Sequence, residues 1–281
     1  MDDSEAPAAA GGSRPRAGRS RRRLLVGAAV ILVAVLIGWV VVRWIRGTAR
    51  EVDLADVTTS TGTALESEPS VLRPPAGVYE YTGEGTDRID KPPRSQAQGP
   101  SMPATVTHRG DGCWTFRIDY STNHWQSWDY CPEDGGLVEV GGQTYQRWDF
   151  GAFANETTST FECVAPTILA DQSPGDEWAQ SCTGGSTGVE GTTTSAGEAR
   201  FVGTETLEIG GREVDALRYH RERTNTGNQS GSEVSEVWFD AETGMPLRNE
   251  RSLEASSDTV IGRVDYTEQG SFELESLEPR R

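Results

Sequence analysis

The fold is decided by residues 113–131, which read CWTFRIDYSTNHWQSWDYC. Apolar and polar side chains alternate along residues 113–120 and again along residues 124–131, the two-residue period of β-strands. The three polar residues at 121–123 separate the two runs and favour a turn. The stretch therefore predicts an antiparallel β-hairpin.

One register of this hairpin places both of its cysteines on one face and its paired aromatic side chains on the other. Cross-strand aromatic pairs stabilise a sheet by roughly 0.2–1 kcal/mol each, so this register is also energetically favourable. We therefore expect a disulfide between the two cysteines. The predicted cross-strand pairs are Cys113 with Cys131, Trp114 with Tyr130 and Phe116 with Trp128, and the loop closes at Tyr120 and His124.

The two remaining cysteines, Cys163 and Cys182, then pair by elimination. An even number of cysteines in an exported domain is typical of disulfides, and each of these would add about 3 kcal/mol in the chain-entropy model. Zinc binding is the alternative for four cysteines. We do not expect a metal site, because the sequence has no C-x-x-C motif and no paired histidines.

Turn signals recur beyond this hairpin, and no helical period is convincing. Gly-Gly pairs at 141–142 and 210–211 each predict a two-residue hairpin turn. Their flanks, VEV-GG-QTY and LEI-GG-REV, align, which indicates either two related halves at about 77–182 and 199–277 or two ordinary hairpins. Polar residues predict a flexible connection at 183–197 and a hairpin loop at 224–232.

An uncharged apolar stretch, Leu24–Val42, precedes this region. A helix of this length would span roughly 28 Å, close to the hydrocarbon thickness of a bilayer. The apolar core of a cleaved signal peptide is usually about 7–15 residues long, so we favour an uncleaved signal anchor. Six arginines precede the stretch and three follow it, which predicts a cytoplasmic N-terminus and an extracytoplasmic C-terminal domain in a single-pass membrane protein.

These flanking segments complete the predicted domain organisation. Residues 1–23 are rich in Ala, Gly, Ser and Arg, which indicates a disordered cytoplasmic arm. Residues 43–76 are rich in Thr, Ser, Glu, Ala and Pro and predict a flexible linker. The predicted fold class for residues 77–281 is mostly β, an antiparallel curled sheet, half-barrel or sandwich after a single N-terminal transmembrane helix.

The charge is distributed unevenly. Residues 1–50 carry nine Arg and three acidic residues, a net charge of +6, whereas residues 51–281 carry 17 basic and 40 acidic residues, a net charge of −23. An acidic domain of this kind repels nucleic acid, so we expect no nucleic-acid partner. Lys91 is the single lysine against 25 arginines, a bias typical of GC-rich coding sequences such as those of actinobacteria.

Catalytic motifs are weak or missing. Gly184–Gly188 matches G-x-S-x-G, but its flanks are rich in Gly and Thr, whereas a nucleophile elbow needs a buried strand before it and a helix after it. The three histidines, His108, His124 and His220, each lie in a predicted strand or turn. No P-loop, dinucleotide-binding fingerprint or EF-hand loop is present, so we expect neither an enzyme nor a cofactor.

Trp125 is the one candidate binding residue. By parity it lies on the cysteine face of the hairpin, away from the paired aromatic residues. It could form an exposed stacking platform for a sugar or a lipid, or it could cover the disulfide, and the sequence leaves both alternatives open.

The end of the chain resembles a known pattern. Residues 237–248, VWFDAETGMPLR, are similar to the W-x-D-x-x-T-G-L-P-x-R hairpin of LolA/LppX-like envelope proteins. The similarity covers about 80 residues from Phe201 onward. The resemblance implies an antiparallel sheet curled into an open half-barrel that carries lipids or lipoproteins, and it transfers no functional residues.

The resulting functional hypothesis is a membrane-anchored, extracytoplasmic, non-catalytic binding module of the cell envelope. A lipid or glycolipid is the first expected ligand, and a continuous apolar lining of the concave sheet face would support it. The alternative is a protein–protein interaction or envelope assembly module, which predicts a filled core and an exposed edge or patch instead.

Overall fold

The computed structural model describes residues 32–43, 49–58, 72–187, 189–259 and 262–280. The chain divides into two units, residues 1–43 and residues 44–281. All of the described strands belong to the second unit.

The described part of the first unit is helix α1, residues 32–43. Residues 24–31 of the predicted signal anchor, and the predicted arm at residues 1–23, lie outside the described residues. Within the part of the chain that the structure describes, no helix combines the length and the apolar character needed to cross a bilayer. The signal anchor and its orientation stay predictions.

The second unit is mostly β and contains a short helix α2, Leu54–Thr58, and a 3-10 turn, Gly110–Gly112. Its strands are β1 Gly77–Tyr79, β2 Tyr81–Asp90, β3 Pro93–Gln98, β4 Ala104–His108, β5 Trp114–Ser121, β6 His124–Glu133, β7 Gly136–Asp149, β8 Ala154–Ile168, β9 Glu177–Ser186, β10 Val189–Ile209, β11 Arg212–Gly227, β12 Gln229–Asp240, β13 Pro246–Thr259 and β14 Gly262–Leu274.

These strands form one 14-stranded sheet in the order β1-β4-β5-β6-β7-β8-β9-β10-β11-β12-β13-β14-β2-β3. Every pairing is antiparallel, and from β4 to β14 each strand pairs with its neighbour in sequence. The β2–β3 hairpin is added to the far edge through β14. The sheet curls into a half-barrel, as predicted, and the two proposed halves are continuous parts of this single sheet.

The hairpin that decides the fold has the predicted register. Trp114 pairs with Tyr130 and Phe116 with Trp128. The turn differs by one residue, because a bulge between Asp119 and Ser121 makes Ser121, rather than Tyr120, the partner of His124. The disulfides Cys113–Cys131 and Cys163–Cys182 are both present, which confirms the predicted pairing.

The two Gly-Gly pairs have different roles. Gly210 and Gly211 have φ of 58° and 76° and form the predicted turn between β10 and β11. Such a turn requires positive φ at both central residues, which glycine adopts without steric cost. Gly141 and Gly142 lie inside β7, so the hairpin predicted there is wrong.

The close approach of the neighbouring strands explains why residues 141 and 142 are both glycine. A Cβ on Gly141 would lie 2.5 Å from the carbonyl oxygen of Phe161, and a Cβ on Gly142 would lie 2.2 Å from that of Ser127. The register of β7 also shifts beside Gly141, where a β-bulge occurs. Glycine is therefore needed here for space within a bulged strand, and not for a turn.

Two polar stretches predicted as loops are strands. The flexible connection predicted at 183–197 forms the ends of β9 and β10, where Thr194 pairs with Thr183. The hairpin loop predicted at 224–232 extends β11 and β12, where Asn225 pairs with Gly231. Both predictions are wrong because polar side chains on both faces of a strand erase the alternation that identifies it.

A packed apolar core fills one end of the half-barrel. Leu72 closes this end, since its amide donates to the Glu242 carbonyl and its own carbonyl accepts from Trp114 Nε1 at 3.1 Å. Leu72 lies within the predicted linker, and the amide of Thr122 also donates to the Arg50 carbonyl, so described parts of that linker contact the domain. The largest fully buried apolar side chains are Trp114, Tyr79, Tyr81, Tyr219, Phe116, Phe239, Met102, Ile118, Leu137, Ile209 and Leu247.

The strand pairings and disulfides of the second unit are formed within that unit. Every strand and both disulfides lie within residues 72–280. Each described strand pairs with other strands of the same range. A fragment from residue 49 onward therefore keeps all of the described strand partners, and we expect it to fold without the preceding residues.

Candidate functional site

The concave face of the half-barrel encloses an open cavity of about 610 Å³. Volumes of about 300–1,000 Å³ are typical of small-molecule sites. Its lining includes Lys91 and Pro92 beside the β2–β3 turn, and Phe150 and Phe153 beside the β7–β8 turn. The cavity thus opens at the end of the half-barrel opposite the packed core.

Charged side chains form the floor of this cavity. The floor is defined by Glu139, Arg221, Arg223, Glu233, Arg251 and Glu268. They lie on strands β7, β11, β12, β13 and β14. On each strand they face inward, on the same side as the apolar core residues nearer the closed end. The floor therefore lies between the open part of the cavity and the apolar core, whose Phe116, Val237 and Phe272 also contribute to the lining.

One group on the floor is centred on Glu139. Its Oε2 lies 3.3 Å from Arg223 Nη2 and 3.7 Å from Arg221 Nη1, and Arg223 also donates to Gln180 at 3.0 Å. Burial, and then the charge of Arg223, lower the pKa of Arg221. For Arg223, burial would lower the pKa, but the carboxylates of Glu139 and Glu233 raise it. The Cys163–Cys182 disulfide lies beside Glu139 on the same face.

The second group is centred on Arg251. Its guanidinium forms an ion pair with Glu268, lies 4.0 Å from Glu233 and donates to Gln126 across the cavity. Burial would raise the pKa of Glu268, but Arg251 and then His124 lower it to about 2. Burial would lower the pKa of Arg251, whereas Glu268 and Tyr120 raise it. This pair is therefore ionised throughout the physiological range.

A sealed acid–base cluster adjoins the floor behind Glu268. His124 Nδ1 lies 3.0 Å from Asp87 Oδ2, and both side chains are almost completely buried. Gln98 donates to Asp87 at 2.8 Å and to Glu268 at 3.2 Å. Burial would lower the pKa of His124, but the carboxylates of Asp87 and Glu268 outweigh it and raise the pKa. The cluster joins the β2–β3 hairpin to the start of β6.

This raised pKa predicts a pH-dependent stability. A histidine whose pKa is higher in the folded than in the unfolded state stabilises the fold below the unfolded pKa, about 6.5, and loses that contribution as the pH rises through the folded pKa. We expect the free energy of unfolding in urea to fall from pH 6 to pH 9, and to fall less in His124→Gln.

His220 should also lower the free energy of unfolding as the pH rises. The pH slope of the wild-type protein must therefore be compared with that of His124→Gln. Hydrogen bonds to Glu222 and Glu236 raise the pKa of His220. The variant His220→Gln is therefore the matched control. Equal pH slopes in the wild-type protein and His124→Gln would contradict the assignment of this effect to the Asp87 cluster.

The same cluster has the composition of a metal site. One ligand atom from each of Asp87, His124 and Glu268 lies within 4.8 Å of the others. The residues do not fit a divalent cation well, because the Arg251 guanidinium already holds Glu268 and Gln98 donates to both carboxylates. A second grouping, of Glu139 with Cys163 and Cys182, offers no thiolate because both cysteines are in a disulfide.

Neutral polar side chains form the walls of the cavity. Asn225 follows Arg223 on β11 and Ser257 follows Arg251 on β13, so both lie between the floor and the turns at the open end. Within the described residues, the wall side chains make no hydrogen bond. The walls are defined by Thr144, Thr157, Ser159, Ser195, Asn225 and Ser257.

The rim of the cavity is partly apolar. Phe150 and Phe153 lie on the β7–β8 turn with ring centroids 5.0 Å apart, and the Phe153 side chain is 63% exposed. The guanidinium of Arg94 lies 5.4 Å from the centroid of the Phe150 ring. We define the rim by Phe150, Phe153, Lys91 and Pro92.

Trp125 is not part of this cavity. It lies on the opposite, convex face, where the Arg117 guanidinium on β5 is 4.1 Å from its ring centroid and Tyr145 on β7 stacks on it at 5.8 Å. Each of the two neighbouring strands thus supplies one partner for the ring. The structure places the predicted candidate binding residue away from the cavity residues.

The floor residues were missed because they look like ordinary surface charges. The alternation of side chains along a strand could have revealed them. Arg221 and Arg223 lie on the inward face of β11 with buried Tyr219. Glu268 lies on the inward face of β14 with buried Phe272. A charged residue in phase with core residues indicates a buried ion pair or a polar cavity. The walls gave no comparable signal.

The similarity of the chain to known proteins is weak. No family model matches the chain, and no curated protein matches it. Among solved structures, the chain is similar to the hypothetical lipoprotein YmcC from Escherichia coli, with a TM-score of 0.31, 12% identity, and coverage of 80% of this chain and 99% of that one. A TM-score this low does not establish a shared fold, and we infer nothing about function from it.

Proposed function

We propose that the chain is a non-catalytic binding module of the cell envelope whose concave cavity holds an amphipathic lipid or glycolipid. The observation that supports this is the open cavity of about 610 Å³ on the concave face of the half-barrel. Its volume suits a small ligand, and its lining combines apolar side chains with many polar ones. The two disulfides favour an oxidising, extracytoplasmic compartment.

The cavity lining is mixed, whereas a lipid ligand was expected to need a continuous apolar lining. Phe161, Leu253 and Val264 contribute apolar surface to the cavity, but the charged floor and the hydroxyl-bearing walls interrupt it. A continuous apolar lining would favour an acyl chain alone. The mixed lining favours a ligand that has both a polar and an apolar part.

The alternative, a module that only binds other proteins, predicts a filled concave face. The open cavity makes this alternative the weaker one, although it remains the natural outcome if no ligand is found. We propose no catalysis because Asp87, His124 and Glu268 are buried, and hydrogen bonds and the ion pair with Arg251 hold their side chains. A catalytic cluster has to reach its substrate.

Native mass spectrometry of the fragment from residue 49 onward, purified without detergent, tests this proposal. We expect an additional mass that corresponds to a bound amphiphile. Ser257→Trp, which places a large side chain in the cavity, should abolish that mass. Ser252→Trp, on the outward face of the same strand, is the matched control and should retain it.

A ligand-free wild-type protein that also fails to take up added lipid would refute the proposal. The same conclusion would follow if Ser257→Trp and Ser252→Trp carried the same amount of ligand. In either case a protein-interaction module would become the leading function.

A further inference from the structure

The charged groups that line the cavity are neutralised within the protein. Glu139 lies between Arg221 and Arg223, and Arg251 contacts Glu268 and Glu233. The floor thus contains three guanidinium groups and three carboxylates. At the rim, Lys91 Nζ lies 3.2 Å from Asp90. These charges balance, but Arg221 Nε and Nη2 and Arg223 Nε have no hydrogen-bond partner in the described part of the protein. A hydroxyl oxygen of a ligand can accept from these groups without adding a net charge.

The unused hydrogen-bonding capacity of the cavity walls is neutral. The hydroxyl groups of Thr144, Thr157 and Ser195 and the amide of Asn225 face the cavity without a side-chain hydrogen bond in the described part of the protein. Hydroxyl and amide groups both donate and accept, and so do the hydroxyl groups of a sugar. Uncharged hydroxyl groups are therefore the ligand groups that match these walls.

Polarity also changes along the cavity. The charged floor and the hydroxyl-bearing walls lie inside the cavity, and core residues such as Phe116 and Phe272 line it behind the floor. Phe153, which is 63% exposed, lies at the rim beside Phe150. A polar group placed at the rim would leave the walls unpaired, and an alkyl chain placed on the floor would be unfavourable beside ionised side chains. An amphiphile should therefore enter with its polar end first.

We propose that the ligand is an amphiphile with an uncharged, hydroxyl-rich head group, of the glycolipid type, which binds with its head against the walls and floor and its alkyl chain at the Phe150–Phe153 rim. This inference rests on the proposed function and adds the chemical class and the orientation of the ligand. It contrasts with a carrier that encloses the alkyl chain and leaves the head group in solvent.

A panel of probes that differ in one part at a time tests this inference on the fragment from residue 49 onward. The probes are octyl glucoside, octanol, octanoate and methyl glucoside, each titrated by calorimetry below its micelle-forming concentration. We expect octyl glucoside to bind at least tenfold more tightly than octanol and octanoate, because only its head group satisfies the walls without bringing a charge. Methyl glucoside should bind more weakly than octyl glucoside.

Two variants separate the head site from the chain site. Thr144→Val/Thr157→Val removes two hydroxyl groups at constant side-chain shape and should weaken both glucosides about tenfold. Phe153→Ser should weaken octyl glucoside at least threefold and leave methyl glucoside unchanged. Thr160→Val, on the outward face of β8, is the matched control and should change neither. Melting temperatures of all variants establish that they are folded.

The possible outcomes distinguish this inference from the proposed function. If octanoate or octanol binds as tightly as octyl glucoside, the head-group class is wrong while the amphiphile site survives. If methyl glucoside binds as tightly as octyl glucoside, or if Phe153→Ser has no effect, the orientation at the rim is wrong. If no probe binds, both the inference and the proposed function fail.

Discussion

Arg251→Met is expected to destabilise the domain by about 3–5 kcal/mol, because it leaves the buried Glu268 carboxylate without its guanidinium partner. The remaining donors to Glu268, Tyr266 Oη at 2.9 Å and Gln98 Nε2 at 3.2 Å, are neutral. They cannot replace the charge that holds the pKa of Glu268 down. The free energy of unfolding in urea at neutral pH measures this loss.

Arg248→Met is the matched control for this variant. Arg248 lies on the outward face of the same strand and pairs with the exposed Glu250, so its loss should cost less than about 1 kcal/mol. Arg251→Met/Glu268→Met removes both buried charges and should recover more than half of the stability that Arg251→Met loses. Equal costs for the two single variants would show that the floor ion pair does not stabilise the fold.

Trp114→Ala is expected to lower the free energy of unfolding by about 3–5 kcal/mol, because it opens a cavity at the closed end of the half-barrel. Trp114 is fully buried against Tyr130, with ring centroids 4.7 Å apart. Its loss also leaves the Leu72 carbonyl, which closes this end, without its donor. Thermal unfolding by circular dichroism measures the effect.

Trp125→Ala tests the same residue type on the convex face of the same hairpin. Trp125 is only half-buried and loses its contacts with Arg117 and Tyr145, so a cost of about 1 kcal/mol is expected. If Trp125→Ala destabilised the domain as much as Trp114→Ala, the division between a buried concave face and an exposed convex face would be wrong at this hairpin.

The register of the outer pairs in the hairpin at residues 113–131 could be predicted, because apolar residues and cysteines require the same pairing, whereas the bulge beside its turn could not. Gly210-Gly211 could be predicted as a turn for a similar reason, since strongly alternating strands flank it. Gly141-Gly142 has similar flanks, but β7 continues through it because the neighbouring strands approach too closely for a side chain. That requirement depends on tertiary contacts, which local sequence does not contain.

The cavity itself was hidden from sequence for a related reason. A strand that is apolar inside and polar outside alternates, but a strand that lines a polar cavity is polar on both faces. Ser195 and Asn225 therefore fell in stretches predicted as loops, although they face the cavity from β10 and β11. The sequence features that conceal the strand are those that give the cavity its chemistry.

The order of the strands has a consequence for how the chain folds during synthesis. The meander from β4 to β14 can grow by adding each strand to the one made just before it. The β2–β3 hairpin is made early, yet its outer partner is the last strand: Tyr81 pairs with Leu274 and Ile89 with Tyr266. This late, long-range pairing has a high entropic cost of loop closure. The curled sheet therefore stays open along one seam, with Asp87 and Gln98 separated from Glu268, until almost the entire chain has left the ribosome.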